Sequence, residues 1–485
     1  MYRTIAQLDS LMASLAGSFP QLCTTIQLPE PSVEGRNVHT LRMRAGGGDD
    51  RRGVLFVGGT HSRELMNPDA LIELAVDLVV SYQNGTDIVY GGRTWPAGDV
   101  KIILETLDLW LVPCSNPDGR HYVMTVDDMW RKNRRDNPRT RCDGVDLNRN
   151  LDILWGVTEG QTSCDPCSDV YAGPSAFSEP EDRNVKYLLD TYRIDCFVDV
   201  HSYSELVLYP WGHAPTQTTD DTQRFTSLPS GTCKPIKDDQ YKEYMHPRDL
   251  LRFQTVAQRI VDAIAAVRGR VYTPQAGISL YPTTGTHSDY AFGRHIANPA
   301  LRKTYGFTME TGPFVGSAPE SFHPADPTPV KLDTKSGLLA LAQQCVCAIE
   351  LIGLRLLGRE NEVNALRRVR DEILGTTEGG RAWIALFERV QTPLLPVLLA
   401  DERLVGEAAA LVESAGRLVE DEGATLDEEN ADRALRFVRE LGERMESEQV
   451  RADLAAVASE LEAARLLATG DILQRLMREG PTTAV

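Results

Sequence analysis

Four short, mainly apolar runs stand out along the first part of the chain: VLFVG (54–58), LDLWLVP (107–113), CFVDV (196–200) and YGFTM (305–309). Near-continuous apolar runs of this length predict strands buried on both faces, as in a parallel sheet. Between the first two, NPDALIELAVDLVVSY (67–82) carries apolar residues at helical spacing, with Pro68 where a first helical turn tolerates it. Strand, helix, strand in this order predicts an α/β domain with a mixed, largely parallel sheet flanked by helices. TKSGLLALAQQCVCAIELIG (334–353) is expected to be its last helix.

From about residue 358 the strand-like runs stop, and Arg, Glu, Leu and Ala dominate. Leu435, Val438, Leu441 and Met445 share one helical face, as do Leu454, Val457, Leu461 and Ala464. Glycines at 375, 379–380, 423 and 470 divide the stretch into several helices. Two domains are therefore expected, 1–357 and 358–485, the second an all-α extension. Its ordinary reading is structural or interactive, through a partner or self-association, because no catalytic constellation falls within it.

Charge narrows the partners. The net charge is −18, which argues against nucleic acid. Residues 401–485 hold 20 Asp+Glu against 10 Arg and no Lys, so −10 of the −18 lies there, read as a solvated helical surface. The most apolar stretch, 338–357, is interrupted by Gln, Glu and Arg, so no membrane span is expected. The first residues lack a basic segment followed by an apolar core, so a cytoplasmic location is expected, with secretion by another route left open. Nine cysteines are few for a disulfide framework, and Cys164–Asp–Pro–Cys167 lacks the second pair of a zinc knuckle and the context of a redox motif.

Candidate chemistry begins in GGTHSREL (58–65), where His61 and Glu64 follow the first strand. His201 directly follows CFVDV, 201 − 64 = 137 residues later. Either histidine alone would read as an ordinary loop residue. Their shared place beyond the carboxyl ends of apolar strands points to one site, where ligands of open α/β sheets bind. Two imidazoles and a carboxylate suit zinc, with a fourth position left for water. Glu310, at the end of YGFTM, is a carboxylate in an apolar setting, suited to a general base and otherwise to a salt bridge. Arg131 offers a cation for a polarised carbonyl, and Asn148 with Arg149 a donor fork for a carboxylate. Arg134, Arg135, Arg139 and Arg141 read as a solvated charge run. Asp199, two before His201, could orient that ring as a supporting carboxylate.

These pieces stand in an order that resembles the zinc carboxypeptidases of the carboxypeptidase A type. The matching segments are GGTHSREL, NPDG (116–119), MWRKNR (129–134), GVDLNRN (144–150), HSYSELVLYPWG (201–212), LYPTTGTHSDYAFG (280–293) and FTMETG (307–312). The resemblance covers residues 1 to about 355 and implies a carboxypeptidase-like fold. It implies one zinc ion held by His61, Glu64 and His201, with Glu310 as general base and Arg131 stabilising the oxyanion. It further implies that Asn148 and Arg149 grip the terminal carboxylate of a peptide or protein substrate, and that Tyr281 closes over it. Ser288 falls at the position that selects the last side chain, with Thr283, Thr286 and His287 nearby; neutral preference is expected, with basic residues disfavoured, and Asp289 read as structural. Cys142 and Cys167 match a bridge bracketing GVDLNRN in secreted relatives. Two other readings stay open: a specialised hydrolase on this scaffold (removing cell-wall peptide residues or side-chain glutamates), or a silent peptide-binding protein acting through its tail.

Overall fold

The structure, a computed structural model, describes residues 2–46, 51–236, 238, 240–346, 360–399, 401–421, 423–445 and 447–481. It divides into two compact units, Met1–Cys345 and Val346–Val485. The expected boundary at 357/358 lies outside the described residues, as does the end of the helix expected over 334–353.

The first unit is built on an eight-stranded sheet: β1 (Cys23–Gln27), β2 (His39–Met43), β3 (Arg52–Gly58), β4 (Leu107–Val112), β5 (Ile194–His201), β6 (Leu206–Tyr209), β7 (Thr273–Ala276) and β8 (Tyr305–Glu310). Their spatial order is β1-β2-β4-β3-β5-β8-β6-β7. The four apolar runs form the central block β4-β3-β5-β8, which is parallel throughout. Apart from the half-buried Arg52, Asp195, Tyr305 and Glu310, its residues are buried, including Val54, Leu55, Phe56, Val57, Leu111 and Phe197, as expected of strands covered on both faces. Antiparallel pairs join β1 to β2, β2 to β4 and β6 to β8, so the sheet is mixed.

Helices cover both faces. In β8, Gly306 abuts Ser288 and Ala291 of α7 (His287–Ala297), whereas Met309 abuts Gly337 of α9 (Thr328–Cys345). Odd and even positions of a strand point to opposite faces, so α7 and α9 belong to opposite layers. α9 packs with α6 (Pro247–Arg268) and with α2 (Met66–Asn84), the helix expected from its periodicity. On the other face α7 meets α5 (Pro180–Thr191) through Asp182 and His287. The strand order sets the site: β4 lies on one side of β3 and β5 on the other. Connections leave β3 and β5 in opposite directions, so a crevice opens beyond their carboxyl ends.

The disulfides match the sequence expectation at Cys142–Cys167, the bridge the resemblance implied, and depart from it elsewhere. Cys142 bonds Cys167, Cys164 bonds Cys233 and Cys196 bonds Cys345, while Cys23 and Cys114 are free and buried. A framework is therefore present, and Cys164 and Cys167 belong to different bridges. Spacing alone could not show this, because partners 69 and 149 residues apart meet only through the fold.

The second unit is helical over Glu360–Arg368, Glu378–Leu399, Glu402–Glu420, Glu428–Arg444, Glu448–Ala463 and Thr469–Arg478. Leu435, Leu441, Met445, Leu454 and Ala464 are buried, with Val438, Val457 and Leu461 packed beside them. No described helix of the chain is long and apolar enough to cross a membrane.

Candidate active site

Loop and strand ends assemble the site. Gly59, at φ +67°, lets the chain turn off β3; a Cβ there would press on Pro68 Cγ at 3.0 Å and Cys114 Sγ at 3.1 Å. The turn delivers His61 and Glu64 beneath the start of α2. Asn116, which caps α4 (Pro117–Thr125) from the NPDG segment, donates its side-chain amide to Thr60 O and Lys132 O, both at 3.2 Å. Ser62 N–H donates to Arg131 O at 3.1 Å. These bonds bind the HSRE turn to the MWRKNR segment and set Arg131 near His61.

His61 Nδ1 lies 2.8 Å from Glu64 Oε1 and 2.9 Å from His201 Nδ1, and His201 Nδ1 lies 3.2 Å from Glu64 Oε2. All three side chains are buried. Each outer ring nitrogen meets a carboxylate: His61 Nε2 is 3.1 Å from Asp146 Oδ1, and His201 Nε2 is 2.7 Å from Asp199 Oδ2. Glu64 Oε2 also accepts the N–H of Ser202 at 3.0 Å. The two Nδ1 atoms and the Glu64 carboxylate converge, one atom from each residue lying within 4.8 Å of the others, with carboxylates orienting both rings; this donor set fits the ion. Burial and then the neighbouring Arg131 lower the His61 pKa, which favours the neutral imidazole a metal needs. Burial would raise the Glu64 carboxyl, but His61 and His201 outweigh it and lower it to about 2.

Eight of the nine predicted residues line one cavity of about 240 Å³: His61, Glu64, Arg131, Asn148, Arg149, Tyr281, Ser288 and Glu310. His201 joins them through its contact with His61. Glu310 ends β8 directly opposite His201 in the parallel register with β5. Burial raises its pKa to about 7, with His201 and Arg131 opposing and Glu64 reinforcing, so it can exchange a proton near neutrality. Arg131 donates Nε and Nη2 to Asp146 Oδ2 at 3.1 and 2.8 Å. Burial opposes that charge, but Asp146 raises its pKa overall. Asp146 thus holds His61 on one oxygen and Arg131 on the other, a role its place in GVDLNRN did not reveal.

Asn148 Oδ1 accepts the N–H of His287 at 2.9 Å, which aims its amide nitrogen toward His201. Arg149 is 2% exposed, donates to Gln161 O and Asn148 O, and hydrogen-bonds Tyr281. Tyr281 itself is 38% exposed at the mouth. Gly285, at φ +67°, brings the following loop onto Arg149; a Cβ there would lie 2.3 Å from Arg149 O. Thr286 caps α7, placing Ser288 on the cavity wall with Thr283 and Thr308.

His287 is not part of that wall. It is 1% exposed, with Nδ1 2.9 Å from Asp199 Oδ2 and Nε2 3.1 Å from Asp182 Oδ1. Asp289 lines the cavity but accepts the N–H of Gly212 on both oxygens (2.9 and 3.2 Å) and lies 3.6 Å from His213 Nδ1. Arg134 and Arg135, expected as solvated charges, are engaged: Arg134 stacks on Tyr122 at 3.8 Å and Arg135 donates to Glu179 at 2.9 Å. Arg139 and Arg141 are exposed.

The model of the family described as zinc carboxypeptidase matches residues 8–320. Carboxypeptidase B of Astacus astacus is 30% identical over 332 residues, 66% of this chain and 93% of that protein. A protein named inactive metallocarboxypeptidase, from Arthroderma otae, is 26% identical over 340 residues, 66% of this chain and 54% of its own length. The crystal structure of thrombin activatable fibrinolysis inhibitor aligns over 71% of this chain and 75% of its own, with a TM-score of 0.55 at 21% identity, a likeness of fold.

Proposed function

The chain belongs to the zinc carboxypeptidase family, a metallocarboxypeptidase by its relatives, and from that premise we propose that it removes single residues from the C-termini of peptides or proteins with one zinc ion on His61, Glu64 and His201. When bound, zinc polarises the scissile carbonyl and makes a water more acidic. The side chains supply the rest. Asn148 and Arg149 bind the substrate's terminal carboxylate through charge-assisted hydrogen bonds, and Tyr281 closes the mouth over it. Arg131 faces the carbonyl oxygen as negative charge develops there. One Glu310 carboxylate oxygen takes a proton from the attacking water and returns it to the leaving amine.

The observation that carries this reading is the register of Glu310 opposite His201, which sets a base of raised pKa beside the donor triad and the Asn148–Arg149 pair. Ser288, Thr283 and Thr308 make a small, polar pocket for the last side chain. Asp289 adds no free charge to it, being engaged by Gly212 and His213, so the pocket favours neutral residues over basic ones.

The test is mass spectrometry of a peptide mixture with every C-terminal residue represented, incubated with the zinc-loaded chain. Loss of single C-terminal residues, abolished by chelator and by Glu310→Gln, is expected. Zinc bound with no residue lost from any peptide would sink the reading, and the alternative suggested by the inactive relative, peptide binding without turnover, would take its place.

A further inference from the structure

Three hydroxyls on the wall of the cavity around Glu310 have no protein partner. Thr283, Ser288 and Thr308 are 8%, 8% and 6% exposed and line that cavity. Among the described residues their side chains make no hydrogen bond, and none of the three oxygens is sealed from the cavity. Hydroxyls of the same loop that hold the backbone are bonded: Thr284 donates to Val157 O at 2.7 Å, and Thr286 accepts the N–H of Asp289 at 3.4 Å.

The fold brings the three together. Gly306, Thr308 and Glu310 share one face of β8, and Gly306 abuts Ser288, so Ser288 and Thr308 reach the cavity beside each other. A Cβ at Gly212 would lie 2.6 Å from Thr283 Oγ1 and 3.1 Å from Asp289 Oδ2; glycine there leaves room beside both. Asp289 accepts the N–H of Gly212 and faces His213, yet keeps further lone pairs, since a carboxylate offers about four acceptor sites. The arginines of the cavity are engaged elsewhere: Arg131 by Asp146, Arg149 by Gln161 O and Asn148 O, and Arg63 by Met129 O and the Phe322 ring.

A hydroxyl both donates and accepts. An ammonium or guanidinium only donates, and a carboxylate only accepts and would also face Asp289 with no free cation to offset it. A hydrocarbon side chain does neither; it would strip water from all three hydroxyls and leave them unpaired, which is costly. A carboxamide supplies one acceptor oxygen and two N–H donors, so it can serve the hydroxyls and the remaining lone pairs of Asp289 together. A site that hydrogen-bonds its substrate rejects an analogue lacking those groups far more strongly than a site shaped by volume alone.

We propose, resting on the exopeptidase reading above, that this pocket selects a C-terminal residue whose side chain ends in a carboxamide, glutamine or asparagine, bonded by Thr283, Ser288 and Thr308 and donating to Asp289. The test is isothermal titration calorimetry of the zinc-loaded full chain carrying Glu310→Gln, with peptides identical except for a last residue of Gln, Met, Glu or Lys. The Gln peptide should bind about tenfold tighter than the Met peptide, its near-isostere, and tighter still relative to Glu and Lys. Adding Thr308→Val, which keeps the shape of the side chain, should cut the Gln-to-Met ratio several-fold. Equal binding of Gln and Met peptides, or a ratio unmoved by Thr308→Val, Ser288→Ala and Thr283→Val alike, overturns the proposal. If Thr308→Val does not fold, the other two variants decide. Turnover of the same peptides by the wild type separates the two readings. A Gln preference in binding without turnover keeps the pocket assignment and sinks the exopeptidase reading; turnover without a Gln preference does the reverse, and no binding of any peptide overturns both.

Discussion

Asp199 Oδ2 lies 2.7 Å from His201 Nε2, so the ring of His201 presents Nδ1 to Glu64 and His61. Thr60 Oγ1 donates to the other Asp199 oxygen at 2.9 Å. The carboxylate is thus fixed from the loop that also carries His61. Asp199→Asn should weaken zinc binding by about 10- to 100-fold, the usual effect of removing a carboxylate behind a histidine ligand. Competition against a zinc-chelating dye measures this. Unchanged affinity would mean that the contact orients nothing.

Glu310→Gln preserves shape while removing the proposed base. Zinc content and the melting temperature should change little, and kcat should fall by about 10²- to 10⁴-fold. A variant that kept its kcat would assign proton transfer to another group.

Arg149 and Asn148 are predicted to read the free carboxylate. Arg149→Met should raise KM by about 10- to 100-fold, as loss of a charge-assisted hydrogen bond of about 1.5–3 kcal/mol implies. Wild-type turnover of C-terminally amidated peptides should fall similarly, and Arg149→Met should barely discriminate amide from acid. Equal discrimination by both proteins would place the carboxylate elsewhere.

His213 is predicted to make stability depend on pH. It is buried between Glu243 (3.0 Å) and Asp289 (3.6 Å). Burial lowers its pKa, but the bonds to Asp289 and Glu243 prevail and raise it to about 9 from 6.5. A folded-state value above the unfolded one stabilises the fold fully below pH 6.5, and that stabilisation is lost as pH rises through 9. The shift corresponds to about 3 kcal/mol. Chemical denaturation of the wild type should show this loss between pH 6.5 and 9, and His213→Gln should flatten it. Parallel slopes would exclude His213 as the source.

Six cysteines should resist alkylation before reduction. Bridges persist in oxidising compartments and are rare in reducing ones. Intact mass after iodoacetamide labelling of protein isolated from its native compartment therefore tests the cytoplasmic expectation. Protection of Cys142, Cys164, Cys167, Cys196, Cys233 and Cys345 would reject it; labelling of all six would support it. Replacing Cys196 and Cys345 by Ser should cost about 2–5 kcal/mol of stability if that bridge is formed.

Much of this molecule was legible in one dimension because burial leaves a local mark. VLFVG, LDLWLVP, CFVDV and YGFTM became the four central parallel strands, since a strand covered on both faces shows no regular alternation of apolar and polar positions. Their ends located His61, Glu64, His201 and Glu310. The outer strands were not legible: TPQA, at one edge, and its neighbour LVLY are four residues long, and CTTIQ, at the other edge, has only one buried residue. Their pairing is supplied by neighbours rather than by their own pattern. Nor could sequence tell that Asp146 would serve both His61 and Arg131, that His287 would turn from the pocket to Asp199, or that Cys164 would meet Cys233 and Cys196 would meet Cys345. Those facts depend on distances between residues tens of positions apart. The strand order decides these distances, because hydrophobic periodicity specifies which face of an element is buried and leaves its neighbour unspecified.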